Sequence, residues 1–270
     1  FSAQSSVNIT RFDSRNVLGL LPGHARPDEV LMVSAHWDAY GEGPADAQGR
    51  TVRAGANDDA LGTAGVLEIA RVLKAGPPLE RSVVFALWTA EESGLVGSRA
   101  YAVDPVYPLA TTVANFTLDI LQTAGAARDV ILVGEGQSSL EDDLARVAAQ
   151  QGRYVTPENL PENGLFYRAD HFSLARAGVP VLLLMGIAGG ADLVDGGRAA
   201  GNQWIADYVG NCYHKPCDAW SPDWDLTGAV QDIELFRQLL EDLGNATRWP
   251  QWRAESEFRA VRESSAAARP

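Results

Sequence analysis

Short apolar runs alternate with helix-like patterns along most of this 270-residue chain. The runs are rich in Val, Leu and Phe, which is typical of strands buried on both faces. They predict strands over residues 16–21, 30–35, 82–88, 113–118, 130–133 and 179–184. Apolar residues at helical spacing predict helices over 63–74, 138–151 and 227–243. This alternation predicts one globular α/β domain, with a mostly parallel, mixed central sheet and helices on both faces.

The pattern also suggests where the domain ends. Residues 1–15 form a polar lead-in, and we expect the domain to extend over residues 1–247. Residues 248–270 are expected to form a tail that packs on the surface or frays at its end. Residues 186–206 are rich in Gly and Ala, and we expect them to form a loop over a cleft and to shape a side-chain pocket.

Composition excludes several classes of partner. Lys and Arg number 22 against 35 Asp and Glu, a formal net charge of -13. Nucleic acids and anionic membranes would be repelled, so we expect no nucleic-acid partner. No apolar run approaches the ~18 residues of a membrane span. The chain starts with Phe1, and we expect that an N-terminal export signal has been removed.

Acidic and imidazole side chains follow the predicted strands, where doubly wound sheets form their sites. Singly, such residues are commonplace, since a Glu pair often starts a solvated helix and Asn-Asp-Asp often forms a turn or an N-cap. Together they match the ligands of zinc, and two imidazoles with three carboxylates can hold two ions if one carboxylate bridges. The residues in question are His36, Asp38, Asp58, Glu91, Glu92, Asp119 and His214. The doubled glutamate would allow one carboxylate to bind metal and its neighbour to accept a proton.

Six motifs carry these residues between positions 16 and 245. They are Ser-Ala-His36-Trp-Asp38, Gly-Ala-Asn-Asp58-Asp59-Ala-Leu-Gly, Trp-Thr-Ala-Glu91-Glu92-Ser-Gly-Leu-Val-Gly-Ser, Asn-Phe-Thr-Leu-Asp119, Arg168-Ala-Asp170-His171-Phe and Cys212-Tyr213-His214-Lys-Pro-Cys217-Asp218. In this order they resemble the secreted and periplasmic two-zinc aminopeptidases, the group of the bacterial leucine aminopeptidases. The motifs are more distantly similar to those of glutaminyl cyclases and glutamate carboxypeptidase.

The resemblance implies a zinc-exopeptidase-like catalytic domain over residues 1–247 that hydrolyses the N-terminal bond of peptides with a free N-terminus. It implies two Zn²⁺ per chain, with Asp58 bridging the ions and Glu91 acting as the general base on the water that they activate. Asp38 would orient His36 through the far ring nitrogen. The Asp58–Asp59 peptide bond would be cis. The remaining metal ligands would be His36, Glu92, Asp119 and His214.

Four further side chains receive roles by the same resemblance. Tyr213 would hydrogen-bond the oxyanion, or else be a packed aromatic residue. Asp170 and His171 would line the substrate pocket without binding zinc. Arg168 would face a substrate carbonyl or carboxylate, or else pair with a surface acid.

The cysteines, Cys212 and Cys217, could form a disulfide, half of a metal site or two core thiols. Next to a carboxylate-rich site the disulfide is favoured, and its loop closure would contribute about 2 kcal/mol. A disulfide implies an oxidising compartment, hence a secreted or periplasmic protein. Three alternatives to an aminopeptidase stay open: a single-zinc glutaminyl cyclase, a carboxypeptidase, and an inactive relative that acts as a scaffold.

Overall fold

A computed structural model of the chain describes residues 2–269. In this range strands and helices alternate through most of the chain. The strands are β1 Val17–Leu21, β2 Arg26–His36, β3 Gly41–Glu42, β4 Val52–Arg53, β5 Arg81–Trp88, β6 Thr112–Asp119, β7 Asp129–Leu132, β8 Tyr154–Pro157 and β9 Val181–Met185. The α-helices are α1 Leu61–Ala75, α2 Val96–Val103, α3 Leu140–Gln150, α4 His171–Arg176, α5 Gly197–Asn211, α6 Thr227–Asn245 and α7 Arg259–Ser264.

Five strands form the central sheet in the order β1-β5-β2-β6-β9. The last four are parallel, and β1 pairs with β5 in the antiparallel sense at one edge. The predicted α/β fold with a mixed, mostly parallel sheet is therefore confirmed. The run over 130–133 does form a strand, but it pairs with β8 in a separate two-stranded sheet.

Alternate residues of the central strands point to opposite sides of the sheet, as the pleat requires. Leu31 and Val33 of β2 belong to a core packed against α1, α3 and α6, in which Phe116 and Phe236 have ring centroids 5.2 Å apart. Met32 belongs to a second core on the other face, together with side chains of α2 and α4. Helices therefore cover both faces of the sheet.

The segment after residue 247 contributes to this second core. Trp252 and Phe258 are each only 3% exposed, and their ring centroids lie 4.9 Å apart. The Trp252 Nε1 group donates a hydrogen bond of 2.8 Å to the Gly178 carbonyl. These aromatic residues anchor the segment, while the domain boundary at residue 247 stays a prediction.

The expected loop over residues 186–206 is wrong in its second half, because α5 begins at Gly197. Glycine lowers helix propensity, but the alanines beside it are the strongest helix formers. Gly196 and Gly197, at the start of α5, have left-handed backbone angles with φ of 87° and 63°. Trp204 and Tyr208 then stack one turn apart, with centroids separated by 5.6 Å, and favour the helical spacing.

None of the helices in residues 2–269 combines the length and the apolarity that crossing a membrane requires.

Candidate metal centre

Three neighbouring strands bring four of the predicted residues to one edge of the sheet. His36 is the last residue of β2, and Asp119 is the last residue of β6. Glu91 and Glu92 lie just beyond the end of β5. Because β2 lies between β5 and β6 and all three strands are parallel, their carboxyl ends share one edge. The central position of β2 therefore places His36 between the glutamates and Asp119.

Asp58 occupies the single helical turn Ala56–Ala60 that precedes α1. The Asp58–Asp59 peptide bond is cis, as predicted. The Oδ1 atom of Asp58 lies 3.1 Å from His36 Nε2, and its Oδ2 atom lies 3.2 Å from His214 Nε2. One carboxylate therefore faces two imidazoles with its two oxygens.

Two groups of donor atoms share this carboxylate. His36, Asp58 and Asp119 form one group, and Asp58, Glu92 and His214 form the other. Within each group the donor atoms lie within 4.8 Å of one another. The members of the first group are buried, whereas Glu92 and His214 are partly exposed. The five predicted ligands thus lie together in the paired arrangement that a bridging Asp58 requires.

Asp38 connects the two glutamates to His36. Its Oδ1 accepts the Glu91 N–H at 3.0 Å, and its Oδ2 accepts the Glu92 N–H at 3.3 Å. The Nδ1 atom of His36 lies 3.1 Å from the Asp38 backbone carbonyl and 3.6 Å from its carboxylate. Burial opposes ionisation of Asp38, but its contact with His36 and these backbone donors outweigh it and lower its pKa. The carboxylate therefore acts mainly on the glutamate turn, and the backbone carbonyl is the nearer partner of the imidazole.

Asp218 holds the backbone of Asp58, a role that the sequence does not reveal. Its two oxygens accept the N–H groups of Asn57 at 2.9 Å and Asp58 at 3.1 Å. The Tyr208 hydroxyl donates a third hydrogen bond of 3.2 Å. The only sequence signal is its place directly after Cys217, at the end of the His214 motif. Through Asp218 the loop that carries His214 is fixed to the turn that carries Asp58.

Asp59 has a comparable role on the other side of the site. Its Oδ2 accepts the His36 N–H at 3.1 Å, and its Oδ1 accepts the Gly62 N–H at 3.1 Å. The spacing of three residues from Asp59 to Gly62 is that of an N-cap, the ordinary interpretation of this turn. The same carboxylate therefore joins the first turn of α1 to the end of β2.

The two cysteines form a disulfide, Cys212–Cys217, with Cα atoms 4.8 Å apart. The closed loop carries Tyr213 and His214, whose ring centroids lie 3.6 Å apart. The Tyr40 ring also packs against His214, with centroids 4.5 Å apart. The imidazole thus contacts two aromatic rings and lies in a short loop whose ends are joined by the disulfide.

Electrostatics favour cations at this position. Burial and the charge of Asp119 raise the pKa of Glu91 to about 10. Burial and the charge of Asp58 raise the pKa of Glu92 to about 8, and burial raises the pKa of Asp119 to about 7. Clustered, buried carboxylates repel one another, and divalent cations compensate this repulsion. Two imidazole nitrogens and three carboxylates are also a donor set suited to zinc. The residues present therefore fit a pair of divalent cations.

A cleft of about 810 Å³ opens beside these groups. Glu91, Glu92, Arg168 and Tyr213 are among the side chains that line it.

Asp170 and His171 were expected to line the pocket, but they are not among the side chains that line this cleft. They lie at the start of α4 and are 2% and 0% exposed. The His171 ring packs edge-on against Phe166 in the second core, with centroids 4.9 Å apart. Burial disfavours the charged form of both groups, since it raises the pKa of Asp170 to about 7 and lowers that of His171 to about 3.

Curated proteins of similar sequence include aminopeptidases. Aminopeptidase YwaD of Bacillus subtilis is 31% identical over 176 residues, which cover 63% of this chain and 35% of YwaD. Two further curated relatives are covered to only 43% and 36% of their length, so the chain spans well under half of these proteins.

Solved structures share the fold. The zinc aminopeptidase BSAP from Bacillus subtilis superposes with a TM-score of 0.56 at 19% identity, covering 90% of this chain and 52% of BSAP. The glutaminyl cyclase of Porphyromonas gingivalis superposes with a TM-score of 0.53 at 17% identity, covering 85% of this chain and 74% of the cyclase. The sequence model of peptidase family M28 matches residues 16–236, which include the whole donor cluster. The chain therefore belongs to peptidase family M28.

Proposed function

We propose that this chain is an aminopeptidase that binds two zinc ions and hydrolyses the N-terminal bond of peptides with a free N-terminus. The observation that supports this most directly is the position of Asp58, which faces two histidines and belongs to both donor groups beside Glu91. His36 and Asp119 would complete one metal position, and Glu92 and His214 would complete the other. Residues 1–247 would constitute the catalytic domain.

Bound by these residues, the two cations would polarise the scissile carbonyl and lower the pKa of the attacking water. The protein's own contribution begins with Glu91, whose backbone is held by Asp38. Its carboxylate accepts a proton from the attacking water and delivers it to the departing amine. The Tyr213 phenol lines the same cleft and donates a hydrogen bond to the developing oxyanion. Arg168 lines the same cleft and would face a carbonyl or carboxylate of the substrate.

The surroundings suit a cationic substrate terminus in an oxidising compartment. A free peptide amine is positively charged, and the carboxylates of the site attract it. The Cys212–Cys217 disulfide persists where thiols are not kept reduced, so the protein functions in the periplasm or outside the cell.

Hydrolysis of leucine p-nitroanilide, measured with zinc and then with a chelator, tests the assignment. The zinc-loaded chain should hydrolyse it and should contain two zinc ions per chain. Glu91→Gln should keep the metal and lose about 10²–10⁴-fold in kcat, because only the proton acceptor is removed. Glu68→Gln, on the exposed face of α1, is the matched control and should match the unaltered enzyme. Unchanged kcat in Glu91→Gln would refute the general-base role.

Metal content and blocked substrates separate the alternatives. One zinc per chain, with cyclisation of N-terminal glutamine and no hydrolysis, would identify a glutaminyl cyclase instead. Release of C-terminal residues from N-acetylated peptides would identify a carboxypeptidase. Both results would refute the proposal.

A further inference from the structure

Three arginines without an acidic partner line the cleft. They are Arg99 in α2, Arg168 just before α4, and Arg176 at the end of α4. Twelve of the chain's twenty arginines lie within 4.0 Å of a carboxylate oxygen. Among the described residues, none of the three cleft arginines has such a partner. The chain has a net charge of -13, yet these guanidiniums have no carboxylate partner and share one cleft, so they can bind an anionic ligand.

A hydrogen bond joins the two helices that carry Arg99 and Arg176, whose side chains are exposed. The Ser98 hydroxyl donates a hydrogen bond of 2.9 Å to the Ser173 hydroxyl, which joins α2 to α4. Arg99 directly follows Ser98, and Arg176 lies about one helical turn after Ser173. The Arg176 guanidinium also lies over the Phe172 ring, 5.8 Å from its centroid. The two helices therefore present both guanidiniums to the same cleft.

The cleft is lined by charges of both signs, Glu91 and Glu92 together with the three arginines. Among the described residues, no salt bridge joins these glutamates to these arginines. A short peptide likewise has charges of both signs, with an ammonium group at one end and a carboxylate at the other. The leaving half of the substrate begins at the nitrogen that receives the proton from Glu91, and Glu91 lines this cleft.

A second cavity, of about 330 Å³, borders on Tyr213 and Arg168 but is not lined by Glu91. Apolar side chains such as Leu160, Ile187 and Ile205 line it. It therefore suits an uncharged side chain, and the arginine-lined cleft remains for the leaving half.

We propose that Arg99 and Arg176 bind a carboxylate on the leaving half of the substrate, so that short peptides with a free C-terminus or an acidic residue after the scissile bond are preferred. This inference rests on the proposed aminopeptidase function. Guanidiniums bind carboxylates through paired N–H donors, whereas an amide of the same shape offers one neutral oxygen.

The test compares kcat/KM for leucylglycine, leucylglycinamide, leucylaspartamide and leucylasparaginamide. We expect about a tenfold preference for a carboxylate over its amide, the effect of about 1.4 kcal/mol. Preference for leucylglycine identifies the C-terminal carboxylate as the source, and preference for leucylaspartamide identifies the side chain. The double variant Arg99→Ala/Arg176→Ala should lose the preference but keep its kcat/KM for leucine p-nitroanilide, which has no carboxylate on its leaving group. Arg99→Lys/Arg176→Lys should keep part of the preference.

Arg71→Ala is the control, because Arg71 is exposed on α1 and pairs with Glu68 outside the cleft. A binding measurement separates this inference from the proposed function. Titration calorimetry of the zinc-loaded chain with N-acetyl-leucylglycine and its amide needs no turnover. Tighter binding of the acid, if it is lost in the double alanine variant, supports carboxylate binding by Arg99 and Arg176 even if leucine p-nitroanilide is not hydrolysed. Equal binding of acid and amide, or a preference that survives in the double variant, overturns it.

Discussion

Replacing Asp218 by alanine removes the acceptor of three hydrogen bonds, two from the turn that carries Asp58 and one from the Tyr208 hydroxyl. Asp218 touches no other member of the donor cluster through these bonds, so its loss acts on the position of Asp58. The Asn57 and Asp58 N–H groups would be left without their acceptor in a buried position. Each buried donor without a partner costs about 1–3 kcal/mol, so the two together cost about 2–6 kcal/mol.

We expect this cost to appear in two measurements. The free energy of unfolding should fall by about 2–6 kcal/mol in denaturant titrations. Zinc affinity, measured by competition with a chromogenic chelator, should fall by about 10–100-fold, as is usual when residues that support metal ligands are removed. Asp218→Asn keeps one acceptor oxygen and should lose less in both measurements.

Asp223→Ala is the matched control, because Asp223 lies in the same stretch of chain but is exposed and hydrogen-bonded only to Ser221. It should leave both quantities unchanged within about 0.5 kcal/mol. If Asp218→Ala bound zinc as tightly as the unaltered chain, Asp218 would not position Asp58, and the reasoning would be refuted.

Three further predictions concern the supports of the site. Replacing both cysteines by serine should lower the free energy of unfolding by about 2 kcal/mol under oxidising conditions, and a reductant should cost the unaltered chain the same amount. The pKa of His171 is lowered to about 3 by burial, so the unfolded chain takes up a proton first and stability falls as the pH drops from about 6.5 towards 3. The contribution of His171 to this pH dependence of the free energy of unfolding is at most about 1.4 kcal/mol per pH unit. It should be lost in His171→Leu and kept in His24→Leu, in which an exposed histidine is replaced as a control. Thermal unfolding at several pH values measures both. Asp59→Ala should destabilise the chain by about 2–6 kcal/mol, because two backbone donors lose their acceptor; a change below about 1 kcal/mol in a denaturant titration would contradict this role.

The central sheet could be predicted from sequence because its strands are continuous apolar runs. β2, β5 and β6 are buried over most of their length, and no amphipathic alternation obscures them. β8 and α5 lack this signal. Tyr154–Pro157 is half-exposed and ends in a proline, and α5 buries only Gly201, so neither has an apolar pattern of the expected period.

His36, Glu92 and Asp119 could be predicted because they follow predicted strands, and Asp58 and His214 because they match family motifs. The residues that position these donors could not be predicted. A carboxylate that accepts hydrogen bonds from backbone N–H groups looks in the sequence like any other polar loop residue. Asp218 and Asp59 are of this kind. Asp170 and His171 show a further limit, because a motif residue beside a site can be buried instead of lining the open cleft, and their role in the substrate pocket stays a prediction.

The junction at Asp58 joins positions that are far apart along the chain. His36 and His214 reach its two oxygens only after β2 has entered the sheet and the disulfide-closed loop has docked on the turn before α1. Any continuous fragment that contains both imidazoles also contains β5, β6 and β9 of the central sheet. Tight zinc retention would therefore report that these distant segments are assembled, and a chelator titration of a fresh preparation would count the molecules in which they are.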